Sequence, residues 1–234
     1  MSSETPDWKQ QRDDDGILWL ILDKQNTDTN VLSVSVLEQL DGLLEGILSD
    51  PPKAVVFRSG KDGGFIAGAD VNEFLEVRTT QEALIMIKRG QTLFNRIAAL
   101  PCPTVAMIEG FCMGGGTELA LACDFLYAAR SAKFADTHAR VGIVPGWGIS
   151  QKLPRIVGVN RAREISFTGN YFSADQALEW GLVNKVCEDD ELVAEAVATA
   201  RQIAETLPEA LTEVRRMINQ GWDTTLAEGL ALEG

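Results

Sequence analysis

The stretch "MGGGTELALACD", Met113–Asp124, decides how this chain is read. Three consecutive glycines, one polar residue and one carboxylate lead into an apolar helical run. Glycine loses more conformational freedom on folding than any other residue, and a carboxylate beside an apolar helix loses solvation. Glycines at a strand-to-helix turn let a ligand approach the backbone closely, and a helix start presents N–H groups without intrahelical partners. Such N–H groups suit an oxygen that gains negative charge during a reaction. Glu118 lies three residues after Gly115, so both can share one helix face. That puts a carboxylate beside such N–H groups, as proton transfer next to a carbonyl requires. The same residues also fit a plainer arrangement, in which the glycines allow tight packing and Glu118 is an exposed first-turn acid facing the helix dipole. Other glycine motifs fit worse: GxGxxG, the GKS/GKT of a phosphate loop and the GxSxG elbow are all absent from this stretch.

Working outward, a second turn stands at "GGFIAGADVNEF", Gly63–Phe74, after the strand-like "KAVVFRSG" and before a helical run. Ligands of α/β sheets favour the carboxyl ends of the strands. Two such turns can each supply one N–H to a single oxygen. Read alone, "AGAD" also fits an ordinary capped turn with Asp70 as N-cap.

The flanking segments predict an α/β core. "GILWLILDK" reads as a buried strand, and Val36, Leu37, Leu40, Leu43, Leu44 and Ile47 recur at helical spacing. "PTVAMIEG", "FLYAAR", "AKFAD" and "LVNKVC" are further strands, and "TQEALIMIKRGQTLFNRIAAL" is an amphipathic helix stopped by Pro101. Strands alternating with helices imply a largely parallel sheet, with helices dominating the last third. The expected division is a core over residues 1–190 and a C-terminal helical region over 191–234, which ends inside a helical pattern and reads as incomplete.

The 234 residues carry a formal net charge of −13, which argues against nucleic-acid backbones as partners. No apolar run reaches membrane-spanning length, so no membrane partner is expected. The polar, acidic first fifteen residues lack the pattern of a signal or transit peptide. Cys102, Cys112, Cys123 and Cys187 lie in apolar or strand-like runs without CxxC spacing, which fits buried reduced thiols and a cytoplasmic location. One histidine and scattered cysteines provide no metal ligand set, and no separate cofactor is expected.

"FIAGAD" and "GGGTELALACD", followed by "VGIVPGWG", resemble the enoyl-CoA hydratase/isomerase (crotonase) superfamily, from about Gly16 to the C-terminus. The resemblance implies a spiral of ββα turns, acyl-CoA thioester substrates, and an oxyanion hole that stabilises a thioester enolate. Carried over by position, the oxyanion donors are the backbone N–H groups of Ala69 and Gly115. Glu118 matches one of two glutamates that hydratases use to activate and deliver water. Ile66, Ala67, Gly68, Asp70, Gly114 and Trp147 fall at substrate-binding positions, with coenzyme A as part of the substrate. The resemblance also implies homotrimers, often paired into hexamers.

One position breaks the pattern. The second glutamate of hydratases precedes a G-x-x-P-G segment, here Gly142–Gly146, and the matching residue is His138, the only histidine of the chain. His138 can replace that glutamate, since imidazole titrates near neutral pH. Asp136 can take part instead, although alternate strand positions point to opposite faces. Or Glu118 works alone, which suffices for shifting a double bond or protonating an enolate after loss of CO2. The leading expectation is hydration of a 2-enoyl-CoA. Decarboxylation of a methylmalonyl- or ethylmalonyl-CoA, enoyl-CoA isomerisation and non-catalytic CoA-ester binding are the alternatives.

Overall fold

The computed structural model describes residues 5–234. Strand β1 (Trp8–Arg12) pairs antiparallel with β2 (Ile17–Leu22), and helix α1 (Val34–Ser49) follows. Three strand–strand units come next: β3 (Ala54–Ser59) with β4 (Gly64–Ile66), β5 (Thr104–Ile108) with β6 (Phe111–Met113), and β7 (Phe125–Ala129) with β8 (Lys133–Ala135). Helices α2 (Val71–Glu76) and α3 (Thr80–Ala98) separate the first unit from the second, and α4 (Gly115–Ala120) separates the second from the third. A 3₁₀ turn (Ala139–Val141) leads to α5 (Ile149–Val157), α6 (Val159–Thr168), β9 (Phe172–Ser173), α7 (Ala174–Glu179) and β10 (Lys185–Cys187). Helices α8 (Leu192–Ala204), α9 (Pro208–Trp222) and α10 (Leu226–Leu230) close the described chain.

The first strands of the units join a six-stranded sheet in the order β1-β2-β3-β5-β7-β10, and the second strands join a four-stranded sheet, β4-β6-β8-β9. All pairs are parallel except β1 with β2 and β8 with β9. The chain therefore winds as the spiral of ββα turns that the motifs imply. Its corners need glycine where successive turns stack. Gly110 has φ +59°, and a Cβ built on it would lie 2.8 Å from the Gly64 Cα, so only hydrogens fit between the two turns.

Both sheet faces are covered. Val36, Leu37, Leu40, Leu44 and Ile47 of α1 are buried as their spacing predicts, against a core shared with Phe57, Phe65, Phe94 and Ile97. On the other face, Leu192, Ala196 and Ala200 of α8 pack over Ile17, Val56, Val105 and Met107. Helix α3 starts at a capping box between Thr79 and Glu82 and buries only its second half, through Gly90, Leu93, Phe94 and Ile97. Helices α9 and α10 bury no residue fully; Arg215 ties α9 to the core through Asp124 and the Leu100 carbonyl. Among the described residues, no helix is long and apolar enough to cross a membrane.

Two local expectations change. The polar N-terminal stretch contains β1, formed through its backbone ladder with β2, although only Trp8 of the strand is buried. The helix expected near Thr117 starts at Gly115, and the three-residue β6 separates it from β5. Strands of two or three residues, as in the smaller sheet, are too short to show a period of two in sequence.

Candidate active site

The site forms where the glycine triplet meets the first turn. The loop after β4 is pinned to the segment before α1: Ala67 N donates to the Asn30 carbonyl, Leu32 N to Gly68, and Asp70 N to Leu32. These bonds pass over Ala69. Gly68 (φ +118°) and Gly114 (φ +47°), which precede Ala69 and Gly115, adopt backbone conformations that side chains disfavour. A Cβ built on Gly115 would lie 3.2 Å from the Ala69 nitrogen, and one on Gly68 would lie 3.9 Å from the Gly115 nitrogen. The two nitrogens thus border one small volume, and neither donates a hydrogen bond among the described residues. Asp70 caps α2, its carboxylate accepting from Asn72 N at 3.1 Å. Ile66 is buried, and its carbonyl stands where any Cβ on Gly116 would fall, 2.4 Å away.

Glu118 is not an exposed first-turn acid. It is 1% exposed, and Oε1 accepts from Trp147 N at 2.9 Å and Ile149 N at 3.2 Å. Those donors lie in the loop and helix start after the Gly142–Gly146 segment, so the loop orients the carboxylate. Oε2 has no hydrogen-bond partner. An unpartnered buried carboxylate oxygen is costly, and burial pushes the Glu118 carboxyl above its ordinary range, more than His138 and the two backbone donors pull it down.

His138 Nε2 lies 3.6 Å from that oxygen. On the other side of the ring, Nδ1 is 2.6 Å from Asp136 Oδ1, and Asp136 Oδ2 accepts from Ser166 Oγ at 2.6 Å. The alternation argument that separates Asp136 from His138 does not hold, because β8 ends at Ala135 and the chain then turns into the 3₁₀ segment. Burial disfavours charge on both groups, but each outweighs that penalty through the other. Asp136 is held below the usual carboxylate range by hydrogen bonds from His138 and Ser166. His138 is raised by its bond to Asp136 and by the Glu118 and Asp136 charges. Ser166, on α6, carries no sequence signal: it stands thirty residues from Asp136 in an ordinary helical pattern.

Trp147 walls the site. Its ring packs edge-on to Phe94 at 5.5 Å and covers Gly90, where a Cβ would lie 2.2 Å from its indole nitrogen. Beside Trp147 and Ala69 opens a cavity of about 270 Å³, lined mainly by apolar groups of α1 and α3, among them Leu37, Ile85 and Met86. Glu73 also borders it; its carboxylate accepts from Val34 N, and burial raises its pKa. Leu84, on the same helix, is exposed. Arg58 and Lys61 beside the first turn reach carboxylates of Glu109 and Asp23. Among the described residues, no group of three or more His, Cys, Asp and Glu side chains is placed to hold a metal ion.

A ββα spiral with two glycine-flanked turns meeting beside a buried carboxylate is a crotonase-type architecture. The crystal structure of an enoyl-CoA hydratase from Bacillus anthracis superposes with a TM-score of 0.91 at 33% identity, covering 97% of this chain and 88% of its own. The Enoyl-CoA hydratase/isomerase family matches residues 13–234, and the chain belongs to it. Human enoyl-CoA hydratase domain-containing protein 2, mitochondrial, is 38% identical over 94% of this chain and 77% of its own length. The short-chain-enoyl-CoA hydratase of Clostridium acetobutylicum is 35% identical over 87% of this chain and 78% of its own.

Proposed function

We propose that this protein is an enoyl-CoA hydratase that adds water across the double bond of a 2-enoyl-CoA. The observation that carries the reading is the buried Glu118 carboxylate, oriented through Oε1 and free at Oε2, on the helix that starts where the Ala69 and Gly115 turns meet. In this reading the thioester oxygen accepts from those two N–H groups, each worth ~3 kcal/mol to the developing enolate. Glu118 removes a proton from water as its oxygen attacks C3, His138 assists, and C2 is protonated. The loop of Ile66, Ala67, Gly68 and Asp70, with Gly114 and Trp147, forms the walls, and the acyl chain enters the cavity beside Trp147. Coenzyme A arrives with the substrate, and no further cofactor takes part.

The four free thiols, all buried but Cys123, support a reducing compartment, the cytoplasm in our reading. Exposed Leu207, Val214, Ile218, Trp222, Leu226 and Leu230 on and around α9 and α10 support assembly as a homotrimer or a pair of trimers.

The test is incubation with crotonyl-CoA, following loss of the conjugated enoyl absorbance, with Glu118→Gln alongside. Hydration is expected, falling ~10³-fold in the variant. Folded protein that binds CoA esters without hydrating crotonyl-CoA overturns the reading. Turnover of methylmalonyl- or ethylmalonyl-CoA would then favour decarboxylation, and 3-enoyl substrates would report isomerisation. No turnover of any of these would favour a binding protein.

A further inference from the structure

His138 replaces a carboxylate by a ring, and a ring must be held at both nitrogens to act in one direction. Nδ1 is held by Asp136 at 2.6 Å, and Asp136 is held in turn by Ser166 at 2.6 Å and by the His138 backbone N–H at 3.3 Å. The charged groups facing the ring are Asp136 and Glu118. Arg140, two residues on, turns away to the Thr168 carbonyl and Asn170. On its remaining side the ring stands against the glycine turn, with Cε1 3.5 Å from where a Gly114 Cβ would be. A site needing only packing would be cheaper with apolar side chains than with two buried carboxylates and an imidazole.

We propose that Asp136, anchored by Ser166, is a positioning residue that fixes His138 with Nδ1–H toward Asp136 and Nε2–H toward Glu118 Oε2, making His138 the acid that delivers the C2 proton. The inference rests on the hydratase reading. In the step it describes, water passes a proton to Glu118 Oε2 as its oxygen bonds to C3, and the C2=C3 π electrons move into the thioester enolate. The enolate then re-forms its carbonyl as C2 takes the proton from His138 Nε2. Glu118 is left protonated and His138 neutral, and the proton returns from Oε2 to Nε2 across their 3.6 Å separation. The sum is one water added. A water beside the pair can touch both atoms, because 3.6 Å is less than twice a hydrogen-bond length of ~2.8 Å.

The single histidine makes the test unambiguous. In full-length protein labelled with ¹⁵N-histidine, the ring resonances report the tautomer and protonation of His138 alone. We expect a ring protonated at Nδ1 that keeps its second proton above the pH at which free imidazole loses it, in line with the raised pKa. Asp136→Asn should lower that titration and reduce kcat for crotonyl-CoA ~10²-fold, with KM changed by less than ~3-fold. Ser166→Ala should move both readouts the same way by a smaller factor. A folded Asp136→Asn with unchanged resonances and unchanged kcat overturns the proposal; if that variant does not fold, the same result in Ser166→Ala does so. An inactive wild type with the held, protonated ring overturns the hydratase reading instead. A ring not held at Nδ1 overturns this proposal whatever the turnover.

Discussion

Two carboxylates flank the same imidazole, and their settings differ. Glu118 and Asp136 are each 1% exposed. Asp136 has both oxygens engaged, by His138 and by Ser166, and its pKa falls. Glu118 has one oxygen engaged by backbone N–H groups and one free, and its pKa rises. Burial raises both, and only at Asp136 do the hydrogen bonds from His138 and Ser166 outweigh it. A satisfied carboxylate is a fixed charge that orients a neighbour, whereas a half-satisfied one is poised to take a proton.

The largest effect that sharpens this contrast is at Glu118. Glu118→Gln should lower hydration of crotonyl-CoA ~10³-fold while raising thermal stability, since it removes a carboxylate that the fold holds in an unfavourable ionised form. The sign follows from the raised folded pKa. Stability associated with the neutral group is full below the ordinary value of 4.5 and is lost as pH rises through the folded value. The stability gap between variant and wild type should therefore open with rising pH over that window. Equal stability at all pH values would show that the free oxygen carries no cost.

Asp136→Ala should act in the opposite sense, costing ~3 kcal/mol in denaturant unfolding because it strands a buried imidazole and a hydroxyl. The Asp136 contribution in the wild type is present above the ordinary value of 3.8 and lost as pH falls through the depressed folded value. The His138 contribution is full below 6.5 and lost as pH rises through its raised value. The variant should lose the first dependence and keep a weakened second, because the Glu118 charge also raises His138. A variant as stable as the wild type would break the comparison, because Asp136 would then be no better placed than Glu118.

How far the sequence reaches depends on whether an interaction is local. The glycine triplet, Glu118 and the "FIAGAD" turn lie within short segments whose backbone needs are written in residue type, so the architecture and the meeting of the two turns are legible. The His138 departure is legible too, as one residue in a recognisable frame. Its meaning is not. Pairing His138 with Asp136 depends on β8 stopping at Ala135, and the alternation rule fails one residue beyond a strand's end. Ser166 reaches the site only because α6 packs beside the 3₁₀ turn, a contact with no sequence pattern. Trp147 is readable as a pocket residue, yet the reason it fits is Gly90, fifty-seven positions earlier on helix α3.

That pair gives the next prediction. Gly90→Ala would place a methyl 2.2 Å from the Trp147 indole nitrogen, inside van der Waals contact. Moving Trp147 shifts its backbone N–H, one of the two donors that orient Glu118. The expected cost is ~2 kcal/mol of stability. Hydration should also fall ~10-fold through misplacement of the carboxylate. Loss of stability with full activity would show that Ile149 N alone suffices to hold Glu118.

The smallest effect tests the far end of the chain of contacts. Ser166 Oγ donates to Asp136 Oδ2 at 2.6 Å, a short bond to a charged acceptor. Ser166→Ala leaves that oxygen without its donor and should cost ~1–2 kcal/mol at neutral pH. It also removes one of the two side-chain hydrogen bonds that depress the Asp136 pKa, after the larger contribution of His138. The folded value should rise toward 3.8, so the acid limb of the unfolding curve shifts to higher pH than in the wild type. A Ser166→Ala acid limb that coincides with the wild type would mean that His138 alone satisfies Asp136. The bond through Oδ2 would then add nothing to the contrast with Glu118, whose rise comes from burial.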